Sequence, residues 1–528
     1  MQKAILILSF FVATNLYGQL NTALRSRVVY QQEINDVWGW TDSTGIEYAL
    51  VGTTTGVSIV SLENPENPQH VAFVPGDYSV WRDLKTYGNY AYVVADQPGS
   101  DDGLLVIDLS NLPQSVETYN WTPTLPGFSI LKNCHNLYID ENGICYLAGC
   151  NIAGGGVIIL DVTQEDGLPE FITTGPSIYA HDVFALNQKM YASEIFQGQL
   201  GIYDLSNMER ITRLAGITTP YTFTHNAWTT SDGHYVFTTD EKANAPVGAY
   251  DITDLNNIQR IDIFRPPLTI NTNVIPHNVH VKDNYLFISY YTDGGVIVDA
   301  SIPDHLIEVG QYDTELQITQ GYNGAWGMYP FFKSGLLLIS DINNGLYVVE
   351  AQLKRAARIK GVVVDESTQT PIFGAQINIV GSPNTVQTNF SGQFKSGSAD
   401  GMTTQMIVSK EGYLPDTSTI ELVNGQVLEA NIALKNSTSV ARHTLFDDQK
   451  WSLTPNPASD FFTIQWERPL SQPNRYVIEM SAPSGKILKT TDVQSAINLR
   501  NMPVGTYSIQ IKDLKTGETS EAKTLIKY

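Results

Sequence analysis

The residues in this chain best suited to chemistry are four histidines, each followed by Asn or Asp: Cys134-His135-Asn136, Ala180-His181-Asp182, Thr224-His225-Asn226 and Pro276-His277-Asn278. Neutral imidazole is a good ligand for Zn, Cu and Fe. Four such side chains at equivalent places around one axis would converge on a site for a divalent transition metal. Carboxylates could complete it. In a hairpin, facing positions sum to twice the turn centre, so the Leu-Asn-Gln-Lys turn at 186–189 sets Glu194 opposite His181, and the Ser-Asp-Gly turn at 231–233 sets Asp240 opposite His225. The Tyr-Gly-Asn turn at 87–89 puts Asp96 within one position of facing Arg82, and Asp83 and Asp182 follow Arg82 and His181 directly. The candidate metal set is therefore His135, His181, His225 and His277 with Asp83, Glu194 and Asp240.

The elements that would position these residues are repeats. The histidines fall in a column with Trp38, Arg82 and Trp326, spaced 44 to 53 residues apart. A second column follows 22 to 26 residues later and closes apolar runs such as GLLVIDL, GVIILDV and GVIVDAS, ending at Ser61, Asp108, Asp161, Asp204, Asp251, Asp299 and Glu350. Each unit reads as four strands. In the third these are HNLYID, ICYLAGC, GVIILDV and PEFITTG. All-strand units at this period are the signature of a propeller. A seven-bladed β-propeller is expected over 19–352, with the RVVYQQE strand at 27–33 joining the last blade and removing both free edges.

The segments LLVIDLS, VIILDVT and GGVIVDAS, with the CHN and PHN pairs, resemble the LVIVD-repeat family of exported propellers of the choice-of-anchor B type. That resemblance implies an architecture and no agreed chemistry. In WD-repeat propellers a Gly-His pair at the same distance before the closing Asp is structural, and the His181 to Asp204 spacing fits that reading equally well. Repetition itself favours scaffold, since a site needs no copy in every blade.

After Lys354 the style changes. The stretch at 359–394, with Gly361, the Asp365 turn, PIFGA and SGQF, resembles the carboxypeptidase regulatory-like domain, a small transthyretin-like sandwich without catalytic residues of its own. The block from Trp451 on, with PNPASD, NMPVGTY and a terminal KTLIKY, resembles the type IX secretion C-terminal sorting domain of the Bacteroidota. The expected fold is all-β: the propeller at 19–352, a regulatory-like sandwich at 355–436, a linker at 437–450 and the sorting domain at 451–528, a second small sandwich. The resemblance implies partnership with the type IX secretion machinery and delivery through the periplasm to the cell surface or the medium.

Composition agrees with a multidomain β protein. Across 528 residues, 42% are hydrophobic, with 27 Tyr, 41 Gly and 25 Pro suiting short strands and many turns. The net charge of -22 disfavours phosphate backbones, so nucleic acid is not an expected partner. Residues 1–18 read as a signal peptide: Lys3, a short apolar run and Gly18 before the cut. No later stretch is apolar enough to be transmembrane. Export permits a disulfide. The Glu-Asn-Gly turn centred on Asn142 sets Cys134 opposite Cys150 and Cys145 opposite Ile139, so Cys134–Cys150 is the expected bridge. No Gly-x-Ser-x-Gly or His-Glu-x-x-His is present. The functional expectation is an exported non-catalytic scaffold for binding or adhesion, with a metal-dependent enzyme built on the His column as its rival.

Overall fold

The computed structural model describes residues 19–97, 99–315, 321–437, 450–470, 472–482, 487–493, 496–515 and 519–528. The expected signal peptide and nearly all of the expected linker lie outside these residues. The chain divides into two compact units, Met1–Lys435 and Asn436–Tyr528. Among the described residues there is no α-helix.

In the first unit seven sheets follow one another along the chain, each an antiparallel meander. The first is Ile34–Thr41, Glu47–Thr53, Gly56–Ser61 and Gln69–Pro75. The leading strands of the first six sheets touch in chain order, Tyr285–Ser289 of the sixth meets Ala325–Tyr329 of the seventh, and that strand returns to Ile34–Thr41 of the first, closing a ring. Alternate residues of each strand pack into the gap to the next sheet. Tyr92, Leu104 and Val106 of the second sheet, for example, meet Leu137, Cys145 and Leu160 of the third.

Closure comes from the N-terminal strand, as a propeller requires, but from Thr22–Val28 rather than from 27–33. Thr22 pairs with Ala351 and Val28 with Leu346. That register covers all but the first residue of the Gly345–Ala351 strand, and residues 29–33 are then consumed in crossing to the first sheet. Gln19–Leu20 adds a fifth strand to the sixth sheet.

The column of closing acids has a local task. Asp108, Asp161, Asp204 and Asp251 accept the backbone N–H two residues on, at 2.8 to 3.0 Å. They fix the turn into the fourth strand in the way Asx turns do. Asp299 does this too and also reaches the next domain.

That domain is a sandwich at 357–434. One sheet holds Ala357–Asp365 between Gln393–Ser398 and the short strands Val427–Glu429 and Ile432–Leu434. The other runs Thr385–Gln387, Gln376–Ile379, Met402–Ser409, Asp416–Leu422. Ile359, Val363, Ile377, Phe394 and Val408 fill the space between. Gly361 is obligatory: a Cβ there would lie 1.7 Å from the Ala430 carbonyl oxygen. The sandwich belongs to the same compact unit as the propeller. Arg358, 2% exposed, donates to Asp299 Oδ2 at 2.9 Å and to the carbonyls of Asp299 and His305 at 2.9 and 2.8 Å. The second unit is again two sheets, one of three strands and one of four, over a core that includes Phe462, Ile478, Ile509 and Leu525.

In the third sheet Asn136 faces Ala148 and Ile139 faces Cys145. Two positions beyond the Asn136 pair, Cys134 and Cys150 are joined in a disulfide, and Cys145 is a buried free thiol. The closed loop is short, so the bridge contributes about 3 kcal/mol. Peptide mapping of the unreduced protein should show Cys134 linked to Cys150, and Cys145 should take up alkylating agent only after denaturation. A labelled Cys134 in native protein would contradict this.

Candidate functional site

Each leading strand presents the same three layers to the axis. The first layer is the histidine column. His135, His181, His225 and His277 form an arc with ring centroids 4.0, 4.2 and 4.5 Å apart, and the arc continues to Trp326 at 4.7 Å. Arg82 lines the same cavity. Trp38 does not belong to this layer. The register of the first sheet slips between Ile34 and Val37, a bulge that places Asn35 and Asp36 where the column passes. Trp38 is carried three residues deeper.

The second layer is the residue after each histidine, and it ties neighbouring blades together. Asn136 Nδ2 donates to Asp83 at 2.5 Å on one side and to Asp182 at 2.9 Å on the other. Asn226 Nδ2 reaches the same Asp182 oxygen at 3.1 Å, and Asn226 Oδ1 accepts from Val279 N at 2.9 Å. Lys85 supplies the cation of this layer, 2.5 Å from Asp83 and 3.5 Å from Asp36. Asp83 thus lines the cavity, yet its oxygens are already taken by Lys85, Asn136 and the Leu137 N–H. Asp182 has no cation bonded to it, and burial pushes its carboxyl up to about 7.

The third layer is an aromatic plug. Trp38, Trp228, His280 and Phe331 stack or meet edge-on within 5.8 Å. The cavity above, lined by the four histidines, measures about 30 Å³. That is room for an ion with a water or two, not for a sugar or a peptide side chain.

Two expected carboxylates point elsewhere. Glu194 is buried, and its oxygens are held by Tyr203 Oη and by Arg213 at 2.9 and 3.1 Å. Asp240 accepts from Thr219 Oγ1, Tyr221 N and Phe223 N at 2.6 to 2.9 Å, pinning the loop into its own blade. The hairpin arithmetic for Asp240 fails because a bulge between Thr224 and Asn226 sets Asp240 opposite Thr224 and leaves His225 unpaired.

The acid that does reach the histidines is Glu241, one residue further on. Its Oε2 is 3.8 Å from His225 Nε2 and its Oε1 4.0 Å from His277 Nε2, and Tyr291 Oη donates to it at 2.7 Å. One donor atom from each of His225, Glu241 and His277 lies within 4.8 Å of the others. Asp96 holds the corresponding place in the second sheet, one step past the paired end of the hairpin, and its Oδ2 is 2.8 Å from His135 Nδ1. That parallel was the available signal for Glu241.

Electrostatics keeps His181, His225 and His277 neutral. Burial, then the neighbouring imidazoles, hold His181 and His225 well below the ordinary histidine range. Burial takes His277 down to about 3, although its Nδ1 lies 2.5 Å from the Trp326 carbonyl oxygen. The Nδ1 atoms of His181 and His225 are buried and lack a hydrogen bond of full geometry, while the backbone of the next histidine sits against each and offsets part of the effect of burial. Burial pushes Glu241 up to about 7.

Comparison with known proteins agrees with this architecture. The family model described as the LVIVD repeat matches residues 81–121 and 276–314. The carboxypeptidase regulatory-like domain model matches 358–435, and the secretion system C-terminal sorting domain model matches 452–527. The chain is thus an all-β protein with a β-propeller of LVIVD-type repeats, followed by a regulatory-like β-sandwich and a sorting domain. The sorting domain marks it as a secreted or cell-surface protein that engages the secretion machinery. No helix among the described residues is long and apolar enough to cross a membrane. Among solved structures, the β-propeller domain of Cps50 (Swd1) from Myceliophteria thermophila is similar at 11% identity and a TM-score of 0.44, covering 62% of this chain and 98% of that one. No curated protein matches the sequence.

Proposed function

We propose that this exported surface protein holds a divalent transition-metal ion at the mouth of its propeller channel, on His225, His277 and Glu241, with His181 and His135 next along the arc. The observation that carries the reading is the approach of three donor atoms to within 4.8 Å of one another in a cavity of ion size. Donors on one ion with bonds near 2.0–2.1 Å sit roughly 3.3 Å apart. The 3.8 and 4.0 Å separations therefore need to close by about half an ångström, within reach of side-chain rotation. The imidazoles of His225 and His277 are deprotonated at neutral pH, as ligation demands, and an ion would lower Glu241. Two imidazoles and a carboxylate suit Zn, Fe or Cu and leave positions free toward the mouth.

A second reading keeps the propeller as a non-catalytic scaffold for binding or adhesion. The second layer favours it: Asn136, Asn226, Asp83 and Asp182 are spent in tying neighbouring blades together, which is the work of a scaffold.

Elemental analysis of the full chain, purified without chelators, separates the two. The metal reading expects about one Zn, Cu, Fe or Mn per chain, lost in His225→Ala and reduced at least tenfold in affinity in Glu241→Gln. A wild-type protein that stays metal-free and unshifted in melting temperature after equilibration with each ion would overturn it.

A further inference from the structure

Glu308 is a buried acid left without a partner. It sits on Ile307–Tyr312, the strand of the sixth sheet nearest the sandwich. It is 8% exposed, and its Oε2 has no hydrogen-bond partner among the described residues. No ion pair reaches it among those residues. The nearby charge is another acid, Asp293, itself buried and held by Thr269 Oγ1 at 2.6 Å. Burial and then Asp293 push Glu308 up to about 8. An unpaired buried carboxyl costs stability unless something answers it.

Glu308 opens onto a crevice of about 720 Å³ between the propeller and the sandwich. Leu20 and Leu268 line it from the propeller side and Met402 from the sandwich, with Gln311 and Asn384 as neutral polar groups. The volume is that of a small-molecule pocket. Its acids repel an anion. A bare metal ion would find two lining carboxylates, Glu308 and Asp400, the second already 2.9 Å from Lys354 Nζ, too few ligands for so large a space. A cation on a carbon chain satisfies both halves of the crevice.

We propose that this crevice binds an alkylammonium group, the ammonium on Glu308 and the methylenes along Leu20, Leu268 and Met402. The ammonium supplies the three donors that the orphaned carboxylate lacks, in a site shielded from water. The site is separate from the channel mouth and does not depend on a metal there.

Titration calorimetry on the full chain at pH 7.5 tests this with cadaverine and with the capped tripeptide acetyl-Gly-Lys-Gly-amide. One-site binding of at least one of them is expected. The better binder tells whether the source is a free amine or a lysine side chain. Glu308→Gln, which keeps shape and removes charge, should weaken binding at least tenfold, and Met402→Trp, which fills the crevice from the other wall, should abolish it. Circular dichroism confirms that both variants are folded. No binding of either probe, equal binding of 1-pentanol, or affinity unchanged in both variants would each overturn the proposal.

Discussion

Arg358→Ala is expected to destabilise the Met1–Lys435 unit by about 3–5 kcal/mol, the range for removing one partner of a buried ion pair. The magnitude follows from what stays behind. Asp299 is fully buried and accepts from Arg358 at 2.9 Å, Ala356 N at 2.7 Å and Ser301 N at 2.9 Å, with Arg355 at 3.1 Å. Without Arg358, the carboxylate keeps one half-exposed cation, and the carbonyls of Asp299 and His305 lose their donors. Asp299→Ala with Arg358→Ala should cost less than the sum of the single changes, because no uncompensated charge remains. The pH dependence has a definite sign. Burial opposes ionisation of Asp299, but Arg358, Ser301 and Ala356 outweigh it and hold its carboxyl below the usual range. This stabilisation is present above an ordinary aspartate pKa near 4 and is lost as pH falls through the lower folded value. Urea unfolding of the single and double variants at pH 7 measures the terms. A cost under about 1 kcal/mol for Arg358→Ala would show the joint to be solvated and loose.

That joint was not legible in the sequence, and the reason is instructive. Each module carries its own signature, so the propeller and the sandwich read as beads on a string. Arg355 and Arg358 fall at the very start of the expected sandwich, and nothing in their spacing marks a partner in the propeller. The closing-acid column looks uniform, although Asp299 alone among its members is bonded to the sandwich. His305 gives the same lesson. It belongs to neither repeated column, and its Nε2 lies 2.9 Å from the Ser396 carbonyl oxygen across the joint.

The propeller was legible because its two columns repeat in phase, and only a repeated sheet keeps such a phase. The four histidines converge as that phase requires. What the columns could not carry was the bulge. A single-residue slip at Thr224/Asn226 moves Asp240 off His225 and brings Glu241 in. A larger slip at Ile34/Val37 trades Trp38 for Asn35. Bulges leave no mark in composition or periodicity, and here they fall at the mouth, where one residue of register decides which acid faces the imidazoles. Glu194 failed for another reason. Its place across from His181 is right, but Arg213 on the outer strand claims its charge, and a cross-strand partner two strands away is invisible to hairpin arithmetic.

Between pH 6.5 and pH 8 the stability of the first unit should fall as pH rises, opposite in sign to the Asp299 effect and in a different window; below pH 6.5 the buried histidines, with folded values under the unfolded one, pull the other way. The cause is a set of buried acids whose folded pKa values stand above their unfolded ones: Glu308 at about 8, and Asp293 and Asp182 at about 7, each through burial first. In this range the native state holds protons that the unfolded chain has released, so the slope of unfolding free energy with pH is negative. Glu308 alone, moving from 4.5 to about 8, contributes at most about 5 kcal/mol, at about 1.36 kcal/mol per unit. Because Glu308 and Asp293 sense one another, the decline belongs to the pair and spreads over the window. Glu308→Gln mimics the protonated acid and should remove the largest part of the slope while leaving stability at pH 5 nearly unchanged. Urea midpoints at pH 5, 6.5 and 8 for the wild type and the variant, without added amine, make the comparison. A wild-type midpoint that is flat or rises from pH 6.5 to pH 8 would mean that Glu308 is ionised in the folded protein, with a cation already paired to it.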